Sequence, residues 1–368
     1  MKTEIFKIDP HKIDTEILKY CAGCIRGGGL VCFPTETVYG LGANAFMKNS
    51  VSKIFKAKGR PSDNPLIVHI SDYEMLDLVT DCTGVQREMM MKIAAKYWPG
   101  PLTMIVSRDD AIPETVSCGL STIGIRYPVN PIARELIKLA GVPVAAPSAN
   151  LSGKPSPSAA SHVIEDLEGK VDIIIDGGSC DVGVESTVLD LTSGKPTILR
   201  PGAVTLEQIS ALYDAEAFDW KGSHAGGEDC DIENPKSPGM KYTHYSPKAD
   251  VVIYEGNREN VVKIVKSEYQ SAVTNGFNAG ILTVDENIDF YSDLKNVISL
   301  GSVNDPKSQA AELFASLRGF DELGVQKVFA EAVPTGGVGD AVMNRLFRAA
   351  GGQIIDCNKK NNNIFGNI

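Results

Sequence analysis

The chain has 368 residues, more than one hydrophobic core usually supports, so two domains are predicted. Hydrophobic residues make up 43% and charged residues 22%, and no window approaches 18 consecutive apolar residues; we therefore expect a cytoplasmic protein with no membrane association. The excess of 46 acidic over 36 basic residues gives a formal net charge of −10, which argues against a large non-specific nucleic-acid surface.

The first helical pattern, DTEILKYCAGCIRGGG, contains a CxxC at Cys21 and Cys24. No second cysteine pair follows at zinc-ribbon spacing, and both cysteines fall on the apolar face together with Leu18 and Ile25. We interpret them as core cysteines. The 5 histidines are scattered and no HExxH occurs, so the sequence predicts no metal site.

Strand and helix patterns then follow one another as far as Tyr213. The predicted strands are 29–33, 65–70, 102–106, 122–126, 142–146, 173–176, 187–191 and 198–200. The predicted helices are a lysine-rich helix that begins after Asn49 or Ser50 and ends before Gly59, then 86–97, 131–140 and 205–213, the last with a capping box from Thr205 to Gln208. The strands do not alternate strictly with helices, which favours a mixed, twisted α/β sheet with flanking helices.

Composition changes after Tyr213. Residues 214–248 are rich in Gly, Pro and polar side chains and are predicted to form a linker. A second, smaller α/β pattern of Rossmann-like type follows over 249–358, and 359–368 is predicted to be a flexible tail. The linker contains PGMKYTHYSP, whose aromatic residues a plain spacer would not need. We therefore expect it to close as a lid, with simple docking of its tyrosines as the alternative.

The most informative stretch is FPTETVYGLGANAFMKNSVSKIFKAKGRPSDNPLIVHI. Five cations and no acid lie between Met47 and Ser62, after a predicted loop of hydroxyl residues and glycines. Asn49 or Ser50 is expected to cap the helix, and Gly59 to end it. Most of these lysines suit a solvated helix face. Lys58 and Arg60 instead flank the turn, where spacing alone leaves phosphate binding and a structural role equally open.

Three further segments could line a site. In STIGIRYP, Ile123 and Ile125 point to one face, leaving a hydroxyl, a gap and the Arg126 guanidinium on the other. VPVAAPSANLSGKPSPSAA ends a strand in small residues that could form an oxyanion bay or a plain surface loop. DGGSCDVGVEST leads into another strand, and Arg200 ends the last one. No P-loop, GxSxG or tight dinucleotide-binding turn is present.

Four motifs together make the chain recognisable: PTETVYGLGA, KAKGRPSDNPL, YWPGPLT and PSANLSGKPSP. In this order and spacing they resemble the YrdC-type threonylcarbamoyl-adenylate synthases over roughly the first two hundred residues. The linker and the smaller second domain are similar to the long, two-domain form of that family. The resemblance implies a YrdC-like catalytic domain over 1–213, followed by the linker and the small α/β domain.

The resemblance implies a nucleotidyltransferase that makes threonylcarbamoyl-AMP and pyrophosphate from L-threonine, bicarbonate or CO2, and ATP. Its product would feed a threonylcarbamoyl transferase machinery that forms threonylcarbamoyladenosine at position 37 of tRNA. Mg²⁺ would be carried by the ATP phosphates rather than by a protein metal site. Such chemistry depends on positioning and charge neutralisation more than on a covalent nucleophile.

The same resemblance assigns residues to two sub-sites. The implied threonine pocket consists of Thr37, His69, Arg126, Ala146 and Ser186, with Arg126 binding the carboxylate. The implied ATP contacts are Lys58, Arg60, Asn64, Thr122, Ser148, Asn150, Ser156, Arg200 and, from the linker, Tyr242. Lys58 and Arg60 are also the implied catalytic residues, and Thr35 is a further candidate from the PTET motif.

Two alternatives remain open. A YrdC-like module could use the same cations to bind RNA without adenylate chemistry, so direct contact with tRNA is left undecided. Carbamoyl transfer from carbamoyl phosphate, known in related maturation factors, would be expected to bring acylphosphatase and zinc-finger segments, which are not visible in this sequence.

Overall fold

The computed structural model describes residues 2–219 and 245–359. Two sheets organise these residues, an eleven-stranded sheet from residues 4–217 and a five-stranded sheet from residues 250–356. The predicted mixed α/β class is confirmed. None of the helices in these two ranges combines the length and the apolar character needed to cross a bilayer.

Parallel and antiparallel pairs mix in the large sheet, whose order is β1-β8-β2-β3-β7-β4-β6-β5-β9-β10-β11. Its strands are β1 (Glu4–Lys7), β2 (Val31–Phe33), β3 (Gly40–Asn44), β4 (Ile67–His69), β5 (Leu102–Ser107), β6 (Thr122–Arg126), β7 (Val144–Ala146), β8 (Ile173–Asp176), β9 (Thr187–Asp190), β10 (Thr197–Arg200) and β11 (Glu216–Ala217). Its helices are α1 (Thr15–Arg26), α2 (Lys48–Lys58), α3 (Gly84–Tyr97), α4 (Glu114–Ser117), α5 (Pro131–Ala140), α6 (Ala160–Leu167) and α7 (Leu206–Ser210).

The central strands are buried, and amphipathic helices cover the sheet. The apolar face of α1, with Leu18, Cys21 and Ile25 at 0% exposure, belongs to the main core. Cys24 is only partly buried but packs against the same core, so both cysteines pack as predicted. Burial raises the pKa of the Cys21 thiol to about 12, which leaves it protonated and unreactive at neutral pH.

The expected Gly/Thr loop is shorter than predicted, because residues 40–44 form strand β3. Its glycines serve packing: a Cβ on Gly42 would lie 2.7 Å from the Phe33 ring and 2.8 Å from Val144. The missing side chains therefore let β3 pair between β2 and β7 with an aromatic ring pressed against its backbone. Low β-propensity in GLGAN concealed this strand.

Helix α2 begins differently from the prediction. Its N-cap is Met47, without a side-chain hydrogen bond, while Asn49 and Ser50 lie inside the helix. Ser50 is buried and cannot cap because it faces the protein interior. The predicted end is confirmed: Gly59 adopts the left-handed conformation (φ 61°). This conformation turns the chain directly after Lys58, which positions the site described below.

Strand β1 and helix α6 were not predicted. The sequence predicts a small-residue loop as far as Ala160, but helix α6 begins at that residue, and its Val163 and Leu167 are buried. β11 lies inside the predicted linker and pairs with β10, so the large sheet extends beyond residue 213. Tyr242 and most of the linker fall outside the described residues.

The small sheet is entirely parallel in order β14-β13-β15-β12-β16. Its strands are β12 (Asp250–Glu255), β13 (Ala279–Thr283), β14 (Val297–Ser299), β15 (Lys327–Glu331) and β16 (Ile354–Asp356), and its helices are α8 (Arg258–Thr274), α9 (Pro306–Glu322) and α10 (Val338–Ala349). Short 3-10 helices cover Met75–Leu78 and Asp285–Tyr291. Parallel strands joined by helices are the crossover arrangement expected of a Rossmann-like module.

The two sheet domains share a packed interface. Val38 and Val184 of the first domain join the apolar cluster built around α9 and α10. Gly183 (φ 74°) lies so close to α9 that an added Cβ would be 2.3 Å from the Ala311 Cα. The second domain therefore rests directly against the loop that precedes β9, which is one wall of the cleft described next.

Candidate active site

The candidate active site is a cleft in the first domain with about 690 Å3 of empty volume. It opens where the turn after α2, the ends of β4 and β6, the loop after β7, and the segments around β9 and β10 converge. The lining includes Thr35, Lys58, Arg60, His69, Arg126, Ala146, Ser148, Asn150, Ser156, Glu185, Ser186, Arg200 and Tyr245. Most of the residues predicted from sequence therefore come together in one place.

Lys58 holds two walls of the cleft together. Its side chain is buried at the end of α2, and the ammonium donates to the carbonyl oxygens of Ser148 (2.6 Å) and Asn150 and to the Asn150 amide oxygen. Burial, with the neighbouring Arg60 charge, holds the pKa of Lys58 well below its usual value. An anion placed beside this group would favour its charged form.

Arg60 is held by its own turn. Its Nε and Nη2 donate to the carbonyl oxygen of Asn64 (3.3 and 3.2 Å), and Nη2 also reaches Pro65 O (3.2 Å). Burial lowers the pKa of Arg60 to about 10, which leaves it protonated at neutral pH. Asn64 itself does not line the cleft, although its buried amide has no hydrogen-bond partner within the described residues.

The loop after β7 presents hydroxyls and carbonyls to these cations. Ser148 Oγ donates to Asn150 Oδ1 (2.6 Å), and the Asn150 amide nitrogen donates to Leu151 O and Lys154 O (both 2.8 Å). Ser156 is fully buried and donates to the Glu185 carboxylate. The small-residue loop is thus a hydrogen-bonded wall of the cleft and not a plain surface loop, while its role as an oxyanion site stays a prediction.

Arg126 projects into the cleft from the end of β6 and is only 4% exposed. Its Nη2 lies 2.7 Å from Glu36 Oε1 and 3.4 Å from Thr35 Oγ1, while its buried Nε lacks a partner among the described residues. Glu36 was missed by sequence reasoning, although it stands in the PTET motif. Thr37 is buried behind Thr35, bonded Oγ1 to Oγ1 at 2.9 Å, and does not line the cleft.

Arg200 and Ser186 form one unit on the opposite wall. Arg200 Nη2 donates to Ser186 Oγ (3.2 Å) and O (3.0 Å), and Ser186 Oγ also bonds Thr103 Oγ1 at 2.8 Å. Thr122 does not join them, because it lines a separate small pocket beside Gly124. The strand face predicted from STIGIRYP is therefore divided between two cavities.

Four cations, Lys58, Arg60, Arg126 and Arg200, line the cleft together with the Glu185 carboxylate, and the Glu36 carboxylate lies 2.7 Å from Arg126. Each carboxylate is already bound by an arginine, Arg126 or Arg345. This donor set suits an anionic ligand better than a resident metal. No groups of three or more candidate metal ligands occur among residues 2–219 and 245–359.

His69 ends β4 and lines the cleft in its neutral form. Burial and the adjacent Arg126 lower its pKa to about 3, and its Nδ1 has no partner within the described chain. Between pH 6.5 and 3, His69 therefore carries a proton in the unfolded chain but stays neutral in the folded chain. The stability contributed by this group is complete above about pH 6.5 and decreases as pH falls towards 3.

We expect the wild type to lose about 2 kcal/mol of unfolding free energy through His69 between pH 7 and pH 5. The His69→Gln variant lacks this linked proton, so its stability should fall less over the same interval. Urea unfolding at the two pH values measures the difference. Equal pH dependence in the two proteins would show that His69 titrates normally in the fold.

Comparisons with known proteins agree with this architecture. A family profile described as "Telomere recombination" matches residues 23–202, and one described as "Threonylcarbamoyl-AMP synthase, C-terminal domain" matches residues 204–351. The threonylcarbamoyl-AMP synthase of Bacillus subtilis is 47% identical over 335 residues, which cover 91% of this chain and 93% of the relative. That of Pyrococcus abyssi is 42% identical over 345 residues, covering 94% and 97%.

The crystal structure of P. abyssi Sua5 complexed with L-threonine superposes with a TM-score of 0.89 at 41% identity, covering 96% of this chain and 99% of that one. The cation-lined cleft and these relatives together define a nucleotidyltransferase-type enzyme. The chain belongs to the threonylcarbamoyl-AMP synthase family, in its two-domain form.

Proposed function

We propose that this chain joins L-threonine, bicarbonate and ATP to give L-threonylcarbamoyl-adenylate and pyrophosphate, for threonylcarbamoyladenosine formation in tRNA. The observation that carries the proposal is the division of charge within one cleft. Arg126, a buried guanidinium whose Nε has no partner among the described residues, lies in the same cavity as Lys58, Arg60 and Arg200. The first suits an amino-acid carboxylate, and the others suit phosphates. The L-threonine complex of the P. abyssi relative supports threonine as the amino-acid substrate.

The proposed chemistry has two steps. The threonine amine and bicarbonate form a carbamate with loss of water, and a carbamate oxygen then attacks the α-phosphorus of ATP as pyrophosphate leaves. Negative charge develops on the phosphoryl oxygens, and Lys58, Arg60 and Arg200 would stabilise it from fixed positions. Mg²⁺ would arrive on the triphosphate, and the hydroxyls of Ser148 and Ser156 are candidate partners for its water ligands.

Pyrophosphate release tests this proposal. The purified full-length protein should release pyrophosphate from ATP only when both L-threonine and bicarbonate are present, and omission of either should stop release. ATP-independent binding of tRNA with no pyrophosphate release would favour the RNA-binding module instead. Pyrophosphate-free reaction with carbamoyl phosphate would favour carbamoyl transfer.

The substrate hydroxyl should be recognised as well. His69 Nδ1 is buried and has no partner in the described part of the chain, whereas the hydroxyls of Thr37 and Ser186 are already hydrogen-bonded to neighbours. A threonine hydroxyl can pair with this nitrogen, and valine would leave it unpaired. We expect kcat/KM for threonine to exceed that for valine at least about a hundredfold. Comparable turnover of both amino acids would contradict a pocket that reads the hydroxyl.

A further inference from the structure

An arginine of the second domain lies directly behind the cleft. Arg345 of α10 is 0% exposed and reaches across the domain interface. Its Nε donates to Glu185 Oε2 (3.0 Å), its Nη2 to Glu185 O (3.3 Å), and its Nη1 to Pro201 O. Arg345 does not line the cleft itself. All three of its nitrogens nevertheless bind residues next to cleft groups.

Those contacts converge on the wall that carries Ser186 and Arg200. Glu185 precedes Ser186 and Pro201 follows Arg200, and these two cleft residues are hydrogen-bonded to each other. The second oxygen of Glu185, Oε1, accepts the Ser156 hydroxyl. Arg345 is thus one contact away from three candidate nucleotide or threonine ligands that come from separate loops.

Arg345 also faces the described end of the linker. Its guanidinium carbon lies 5.9 Å from the centre of the Tyr245 ring, and that ring lines the cleft while packing on Phe314 of α9. Behind the cleft, the two domains are therefore joined by an ion pair, a backbone contact and an aromatic ring.

The chemistry of the Glu185–Arg345 ion pair favours a geometric role. Although burial opposes ionisation, the Arg345 and Arg200 charges and the Ser156 hydroxyl hold the pKa of Glu185 below its usual value. A buried ion pair adds little net stability compared with a well-packed apolar pair, because desolvation offsets the attraction. A guanidinium does, however, fix the direction of several acceptors at once, since its donors form a rigid planar fork.

We propose that Arg345 is a positioning residue for the reaction: through Glu185 and Pro201, the second domain sets the placement of Ser156, Ser186 and Arg200. This inference rests on the proposed function and assigns the second domain a part in it. A displacement of about 1 Å in such groups can lower a rate about a hundredfold. Arg345 therefore acts on catalysis without touching the substrate.

The test compares Arg345→Met with Arg345→Lys in the full-length protein. Methionine keeps much of the side-chain volume but removes the charge and donors, and lysine restores the charge without the fork. We expect Arg345→Met to change KM for ATP or threonine and to lower kcat at least about tenfold per folded molecule. Arg345→Lys should recover part of this loss. An Arg345→Met protein with unchanged kcat and KM per folded molecule would overturn the proposal.

Two further variants separate positioning from folding. Tyr291→Phe removes a buried hydrogen bond to Glu331 inside the second domain. Tyr291 belongs to a different apolar cluster from the one that joins the domains, so this change should lower stability while leaving kcat and KM unchanged. Glu185→Gln replaces the carboxylate that Arg345 neutralises. In that background, adding Arg345→Met should cost much less activity than it does in the wild type. Fully additive losses would show that Arg345 does not act through Glu185.

The neutral double variant Glu185→Gln/Arg345→Met also serves if Arg345→Met alone fails to fold, because it leaves no unpaired buried charge. Failure of the proposed function is recognised separately. If the wild type releases no pyrophosphate, calorimetric titration with L-threonine and with ATP still compares ligand binding in the cleft between the wild type and the variants. Identical dissociation constants across the set would then refute the positioning role.

Discussion

Replacement of Lys58 by methionine should lower kcat/KM for ATP-dependent adenylate formation at least about tenfold. The ammonium is buried in the cleft, its hydrogen-bond partners are carbonyl and amide oxygens, and no carboxylate contacts it within the described parts of the chain. A charge-assisted hydrogen bond to phosphate contributes about 1.5–3 kcal/mol, which corresponds to about 10- to 150-fold in rate. Arg60→Ala should have a comparable effect, since Arg60 remains charged at neutral pH.

Lys53 provides the matched control. It lies on the same helix and donates to a backbone carbonyl, Gly28 O at 2.7 Å, but it is absent from the cleft. Lys53→Met should therefore leave kcat/KM within about twofold of the wild type. Steady-state pyrophosphate release gives all three values. Near-wild-type rates for both Lys58→Met and Arg60→Ala would move the phosphate site out of this cleft.

Replacement of Arg126 should act on threonine rather than on ATP. We expect Arg126→Met to raise KM for threonine at least about a hundredfold, because the planar fork that binds a carboxylate is lost. The KM of Arg126→Lys for threonine should lie between those of the wild type and Arg126→Met, since lysine keeps the charge but lacks the planar fork. KM for ATP should change little, because Arg126 lies on a different wall from Lys58 and Arg60.

Removing Arg126 also leaves Glu36 buried at 5% exposure without its cation, which costs about 3–5 kcal/mol of stability. The double variant Glu36→Gln/Arg126→Met avoids this unpaired charge and keeps the binding test interpretable. Arg134, which stacks over the Tyr127 ring outside the cleft, is the matched arginine control. A double variant that binds threonine with wild-type affinity would exclude Arg126 as the carboxylate ligand.

Local sequence signals predicted much of the fold. Gly59 ends α2 with the expected left-handed turn, and Asn130 with Pro131 begins α5 at the predicted residue. The capping box at Thr205 and Gln208 is also present. These features depend on side chains within four residues of one another, so the local sequence is enough to predict them. Strand β3 could not be read in this way, because its glycines are explained only by the distant Phe33 and Val144.

The residues of the candidate site also differ in whether the local sequence predicts them. Lys58, Arg60 and Arg126 could be singled out because their charges stand at a turn or on one face of a strand. Glu36, Glu185 and Arg345 could not, because each is explained by a partner between 90 and 160 residues away. A buried carboxylate gives no local signal of the arginine that neutralises it. The contribution of the second domain therefore became visible only in three dimensions.

Product identification with isotope-labelled bicarbonate tests whether the protein makes threonylcarbamoyl-adenylate. The full-length protein is incubated with ATP, L-threonine and ¹³C-bicarbonate, and the nucleotide products are separated and weighed by mass spectrometry. We expect an adenylate that carries threonine and one ¹³C atom, formed in equal amount with pyrophosphate. Release of pyrophosphate with AMP alone from a freshly quenched reaction, and no labelled adenylate, would contradict this expectation.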